Sequence, residues 1–200
     1  AWHNKSIDIQ KDEYEKQLLA YEFVDVIKQW IKNYAHLARS LADEFVEEEV
    51  LDILEKTWWD LQYEGGRTFR EDFDKDPQKA MESMAEQWHN APFQGLGAGT
   101  YDEPMMQENQ WDLICLQCYH QVFVEMNERK IGISWCMSDL AAVRGWSSKM
   151  VMRFPNVLLR GAPYCHQIRK IVDEADPDED IWTKEKSEKY GWRSIKELEE

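Results

Sequence analysis

The chain has 200 residues, with 24 basic against 39 acidic side chains and a net charge of −15. Such a charge repels phosphate backbones and anionic bilayers, so nucleic acid and membranes are excluded as expected partners. No run of about 20 apolar residues occurs, and the opening AWHNKSIDIQ holds no signal-peptide hydrophobic region. The expected location is therefore cytoplasmic.

From Asp12 to Leu41 the apolar residues Tyr14, Leu18, Tyr21, Ile27, Ile31, Tyr34, Leu37 and Leu41 recur at mostly three- and four-residue steps, which predicts an amphipathic helix. A second helix is expected over Glu47–Phe73, with a stripe through Val50, Leu54, Trp58, Leu61, Gly65 and Phe69. Glycine inside a helix costs about 1 kcal/mol relative to alanine. Gly65 on the stripe therefore reads as the close approach of a neighbouring helix; room for a ligand, or a helix break at Gly65–Gly66, are the alternatives. The stretch Asp74–Pro77 ends this helix, and a third runs over Gln78–His89. The loop NAPFQGLGAGTYDEP carries Gly95, Gly97 and Gly99 but no Gly-Lys-Ser/Thr, so it reads as a mobile connection or lid, not a phosphate cradle.

Beyond Asn109 the pattern changes. Trp111–Gln117 alternates as a strand, YHQVFVEMNER is helical, and Ser134 is expected to cap a helix over Trp135–Trp146. KMVMRF and YCHQIRKI read as two strands joined through NVLLRGAP, with Pro155 confining the first to an edge or end. The fold class is α+β: a helical N-terminal half (12–90), then a small antiparallel sheet packed with helices (109–172), together one domain over 1–172. The acidic tail 173–200 is expected to pack only through Trp182, Tyr190 and Trp192.

Cys115, Cys118, Cys136 and Cys165 all lie in one quarter of the chain. Without a sign of secretion they read as reduced thiols. Within a helix over 135–146, Cys136 and Asp139 are i,i+3 neighbours, and the carboxylate raises the thiol pKa instead of activating it. On a strand, Cys165 and His166 point to opposite faces, so a histidine from elsewhere, His120 or His89, suits a thiol better. Arg153 and Arg160 supply positive charge for a thiolate or a substrate carboxylate.

Three readings of these residues stay open: inert packing, a metal or redox-responsive site, and nucleophilic catalysis. A site of Cys118, Cys136, Cys165 and a histidine lacks paired Cys-x2-Cys spacing, and the one such pair, CLQC (Cys115–Cys118), would point its thiols to opposite faces of a strand. No metal and no cofactor are assigned.

The stretch Ser138–Ile168, SDLAAVRGWSSKMVMRFPNVLLRGAPYCHQI, with Cys136 before it, resembles the L-2-amino-thiazoline-4-carboxylic acid hydrolase family. The matching elements are Cys136, Asp139, Gly145, Arg153, Leu158, Gly161 and Cys165, with Cys118 similar to the family's cysteine at a strand-to-helix junction. The departures are RFPNVLL, which lacks the family's threonines and sets Arg153 one position early, and His166 in place of an acidic residue. The resemblance implies hydrolytic opening of a C–N or C–S bond in a small cyclic carboxylate. Cys165 is the first choice of nucleophile and Cys136 the second, Asp139 protonates or orients the ring nitrogen, and His120 serves as base. Arg153 or Arg160 would hold the carboxylate, with Cys118, Trp135 and His166 completing the substrate-contacting set. The partner is a small-molecule substrate, and homo-oligomerisation is left open. The alternative from another class is a non-catalytic small-ligand-binding module whose tryptophans enclose an apolar ligand.

Overall fold

In the computed structural model, residues 2–89, 99–101, 105–173 and 183–189 are described, with side chains described from Tyr21 to Glu86, from Met105 to Asp173 and for part of 183–188. The first helix, α1, runs Trp2–Glu44, well beyond both ends of the expected segment. Its inner face is Val24, Ile31, Ala35 and Ala38, all buried. The second, α2, covers Glu47–Arg67 and stops short of Phe73. The chain turns at Thr68–Phe69, where Thr68 Oγ1 donates to the Gly65 carbonyl, and continues as the short α3, Arg70–Lys75. Helix α4 follows over Pro77–His89.

Part of the segment read as a lid, 90–104, forms strand β1, Gly99–Tyr101, while its remaining positions lie outside the described residues; β2, Met105–Gln107, follows directly after it. Both pair antiparallel with β3, Gln110–Cys118. After β3 come α5 (Gln121–Glu125), α6 (Arg129–Cys136) and α7 (Ser138–Trp146). Asn127, at φ 59, makes the turn that separates α5 from α6. The expected single helix over 135–146 is thus two helices jointed at Met137. Ser134 caps neither of them; its hydroxyl bonds back to the Lys130 carbonyl inside α6.

Strand β4 is Met150–Asn156 and β5 is Cys165–Ile171, with a 3-10 turn at Leu158–Arg160 between them. The sheet order is β1-β3-β5-β4, so β4 lies at an edge and accommodates Pro155, at a register irregularity between Arg153 and Asn156. The fold is α+β, with an antiparallel sheet packed against helices. One core joins the two halves, taking Ile31, Leu51 and Met81 from the helices and Trp111, Leu113, Met150 and Met152 from the sheet. In the acidic tail, α8 (Lys184–Lys189) is described, and Lys184 pairs with Asp52 of α2 at 3.0 Å. Trp182, Tyr190 and Trp192 lie outside the described residues. No helix among the described residues is long and apolar enough to cross a membrane.

The glycine pair of α2 divides its roles differently from the sequence reading. Nothing lies within 4 Å of a Cβ placed on Gly65, whereas one on Gly66 would meet Ala142 O at 2.6 Å and Gly145 Cα at 2.9 Å. Helices α2 and α7 therefore cross with bare backbone on both sides, because Gly145 in turn faces the Tyr63 carbonyl at 2.3 Å from its own would-be Cβ. The end of α7 is also clamped by α3. Asp74 accepts from Ser147 Oγ at 2.5 Å and from Ser148 N and Oγ, both at 2.9 Å, while Arg70 donates to the Arg144 and Gly145 carbonyls. We predict that Gly65→Ala stabilises the fold by up to about 1 kcal/mol. Gly66→Ala should destabilise it by about 1–3 kcal/mol through overpacking. Urea denaturation of the two variants checks both signs.

Candidate functional site

A β-bulge builds one wall of the site. Opposite β1, Thr100 pairs with Gln117 but Tyr101 pairs with Cys115, so Leu116 has no partner across the ladder. Leu116 and Gln117 are consecutively exposed, which breaks the alternation of β3. The bulge brings Cys115 and Cys118 to the same side, close enough for their thiols to hydrogen-bond to each other. The expectation that CLQC points to two faces fails for this reason. Cys115 Sγ also donates to the Gln117 carbonyl at 2.9 Å.

Beyond the bulge the chain turns into α5, and the His120 N–H donates to Cys118 Sγ at 3.4 Å. The His120 ring reaches Cys136 at the end of α6, Nδ1 to Sγ 2.9 Å, with both residues buried. Burial lifts the Cys136 thiol well above its ordinary pKa, with Cys118, Cys165 and Asp139 adding to the effect. At rest Cys136 is therefore held as the neutral thiol in this contact. The His120 Nε2 is buried and has no hydrogen-bond partner among the described residues.

Asp139 opens α7 one helical joint beyond Cys136. Burial raises its pKa to about 6, and the Arg169 guanidinium pulls the other way. Arg169 comes from β5, is itself buried, lies 4.2 Å above the Trp111 ring and donates to Gln167 Oε1 at 2.8 Å. Sequence reasoning missed this residue. The signal was present, since Cys165, Gln167 and Arg169 alternate onto one strand face.

Cys165 also belongs to this group. Its thiol is pushed up to about 12, by burial first and by Cys118 and Asp139 next, and its sulfur accepts the Leu158 N–H at 3.1 Å. Leu158 helps line an open cleft of about 390 Å³ with Gln121, Val124, Glu125, Arg129 and Ala162, which brings that cleft within one residue of the Cys165 sulfur.

Cys118, Tyr119 and Asp139 keep accessible surface although protein packs round each closely enough to raise its pKa. For Cys118 the hydrogen bond with Cys115 raises it most and burial adds to it; for Tyr119 burial dominates. These three side chains thus sit at the accessible margin of the buried cluster. Its aromatic side is Trp135, 5.0 Å from His120 and stacked on Trp58 at 4.8 Å with 6° between the planes. Tyr34 accepts from Trp58 Nε1 at 2.8 Å.

The structure thus brings together Cys118, His120, Trp135, Cys136, Asp139 and Cys165. It sets the others apart. His166 faces the other side of the sheet and contacts Asp112, Nε2 to Oδ1 2.8 Å. Arg153 is exposed and donates to the Met152 carbonyl, and Arg160 sits half-buried in the 3-10 turn, where burial lowers its pKa. The His89 side chain lies outside those described. Among the described residues no group of three or more His, Cys, Asp or Glu is placed to hold a metal ion.

No family model matches the chain, and no curated protein matches it. Among solved structures it is similar to a trafficking protein particle complex subunit 3 from Naegleria fowleri, covalently bound to palmitic acid. That match has 12% identity and a TM-score of 0.42 over 82% of this chain and 99% of that one. It is also similar to the phenol-responsive sensory domain of the transcription activator PoxR with phenol, with 13% identity and a TM-score of 0.39 over 73% and 76% of the two chains.

The pKa of Asp139 gives a stability test. A carboxyl whose pKa is raised on folding holds its proton longer in the folded state, so stability falls as pH rises from the ordinary aspartate value to about 6 and is level above that. Asp139→Asn mimics the protonated form throughout. The variant should match the wild type in urea denaturation near pH 4 and exceed it at pH 8 by on the order of 2 kcal/mol.

Proposed function

We propose that this protein is a hydrolase that opens a C–N or C–S bond in a small cyclic carboxylate, in the manner implied by its resemblance to the L-2-amino-thiazoline-4-carboxylic acid hydrolase family. The observation that carries the reading is the 2.9 Å contact of Cys136 Sγ with His120 Nδ1 beside the buried carboxyl of Asp139. This moves the nucleophile from Cys165, the first choice on sequence, to Cys136, whose sulfur lies 2.9 Å from His120 Nδ1; the same imidazole also bonds the Cys118 thiol, which its hydrogen bond with Cys115 and its burial hold protonated.

The chemistry follows from the protonation states. Cys136 starts as a thiol, so attack on the C=N carbon is coupled to transfer of its proton to Nδ1 of His120. Asp139, with a pKa of about 6, can protonate the ring nitrogen. When the ring bond to carbon breaks, the leaving sulfur or nitrogen takes the proton from the imidazolium. Water then adds to the enzyme-bound carbon and gives one proton to His120; as the bond from carbon to the Cys136 sulfur breaks, His120 passes that proton to the sulfur, and the second water proton, shed as the carbonyl forms, returns to Asp139. Arg169, whose charge reaches Asp139 from the strand that carries Cys165, joins Arg153 and Arg160 as a candidate to hold the substrate carboxylate.

The test is turnover of L-2-amino-thiazoline-4-carboxylate and related cyclic amidines by the purified chain. Cys136→Ser should abolish product formation, His120→Asn should lower it by about 10²–10⁴-fold, and Cys165→Ser should leave it within about tenfold of the wild type. Full turnover by Cys136→Ser removes the covalent mechanism.

The raised pKa values of Cys118, Cys136 and Cys165 also support a second reading, a ligand-binding module whose thiols stay protonated and whose aromatic wall receives an apolar ligand. That reading expects saturable quenching of tryptophan fluorescence by such a ligand, no turnover, and uniformly slow alkylation of the four thiols by iodoacetamide.

A further inference from the structure

The open cleft of about 390 Å³ lies between α5, the start of α6 and the 3-10 turn, and has the volume of a small-ligand site. Its frame is tied on both sides. Asn127 turns the chain between α5 and α6, its N–H on the Val124 carbonyl at 3.0 Å and the Glu128 N–H on the Phe123 carbonyl at 2.7 Å. The Glu128 carboxylate is held in turn by Arg39 of α1, whose Nε donates to Oε1 at 2.8 Å. Across the cleft, Gly161 at φ 91 ends the 3-10 turn, and the Gly161 and Ala162 amides donate to the Leu158 and Val157 carbonyls at 3.0 and 3.2 Å. Two side chains of opposite charge line the space, Glu125 at the last position of α5 and Arg129 at the first position of α6. Each stands at a helix end whose backbone dipole disfavours its sign. Neither side chain has a hydrogen bond or an ion pair among the described residues. Val124, Leu158 and Ala162 add an apolar wall, and the Gln121 amide can both donate and accept.

We propose that this cleft binds a small zwitterion, an α-amino acid with an apolar side chain. Its carboxylate meets Arg129, its ammonium meets Glu125, and its side chain lies against Val124, Leu158 and Ala162. The lining selects that class. A simple anion would meet the Glu125 carboxylate, and a simple cation would meet the Arg129 guanidinium. A neutral apolar molecule would desolvate both charges and return no hydrogen bond to either. A ligand that carries both charges on neighbouring atoms satisfies the two side chains at once. It also approaches a chain of net charge −15 without the long-range repulsion that an anion meets. The cleft adjoins the thiol cluster through Leu158, whose N–H donates to Cys165 Sγ at 3.1 Å. The inference stands apart from the proposed chemistry, since occupancy is measured without turnover.

The experiment is an amide chemical-shift titration of the isotope-labelled full chain with L-leucine and, separately, with L-phenylalanine. The expected result is saturable movement of the Gly161 and Ala162 amides, with a dissociation constant below about 5 mM for at least one of the two. N-acetyl-L-leucine and L-leucinamide, which each lack one charge, should bind at least about tenfold more weakly. Arg129→Gln and Glu125→Gln should each weaken binding by about tenfold or more, with helical circular dichroism unchanged. Glu71→Gln, exposed on α3, should bind as the wild type does. So should Cys136→Ser, which separates this cleft from the proposed reaction. No saturable shift with either amino acid overturns the proposal. So does binding that both charge variants leave unchanged, that the two single-charge analogues share, or that Cys136→Ser abolishes.

Discussion

The contact on which the arrangement rests is the bare crossing of α2 over α7. Two glycines, Gly66 and Gly145, let the helix backbones meet where any Cβ would collide with a carbonyl or a Cα. At this crossing backbone meets backbone, so there is no soft side-chain spacer to compress between α2 and α7. Arg70 and Asp74 of α3 then hold the end of α7 through its last carbonyls and the serines that follow. With one end of α7 pinned, its other end sets where Asp139 sits over the sheet and, through Met137, where Cys136 meets His120. A change at the crossing would be felt at the thiol without touching it.

The polar groups of the cluster lean on one another. Three thiols and a carboxyl are held in their protonated tendency by burial, and each would make its neighbours' ionisation harder. Arg169 is the counterweight, a guanidinium kept under the site by its stack on Trp111. Near neutral pH the charge of the site is thus confined to Asp139 and Arg169, while the thiols stay neutral until a reaction or a ligand demands otherwise. That combination suits both an enzyme that couples proton transfer to attack and a pocket that admits neutral molecules.

Periodicity made the helices α1, α2 and α4 and the strands β3, β4 and β5 legible, because each buries one face and the spacing of apolar residues records it. Edge placement of β4 followed from Pro155 alone. What failed were the joints. The break at Thr68–Phe69 falls just past the glycine pair that offered a helix break as one alternative, and the hinge at Met137 carries no glycine or proline at all; both turn with helical backbone angles. The bulge at Leu116 was equally silent, since two-versus-one pairing depends on β1, a strand of three residues in a segment read as loop. At the site, Cys136 and Asp139 were found by local spacing, whereas the meeting of His120 with Cys136 depends on tertiary packing that spacing does not encode. Arg169 was readable from strand alternation but lay outside the motif that drew attention to Cys165.

The paired indoles of Trp58 and Trp135 have an optical consequence. Lying nearly parallel at 4.8 Å, they share their excited states, so the near-ultraviolet circular dichroism of the folded chain should carry a split band set by the angle between them. One ring belongs to α2 and the other to α6, beside the imidazole that faces the sulfur. Any sliding of those helices would rewrite the spectrum, and the protein thus holds its own gauge of how α2 and α6 sit against each other.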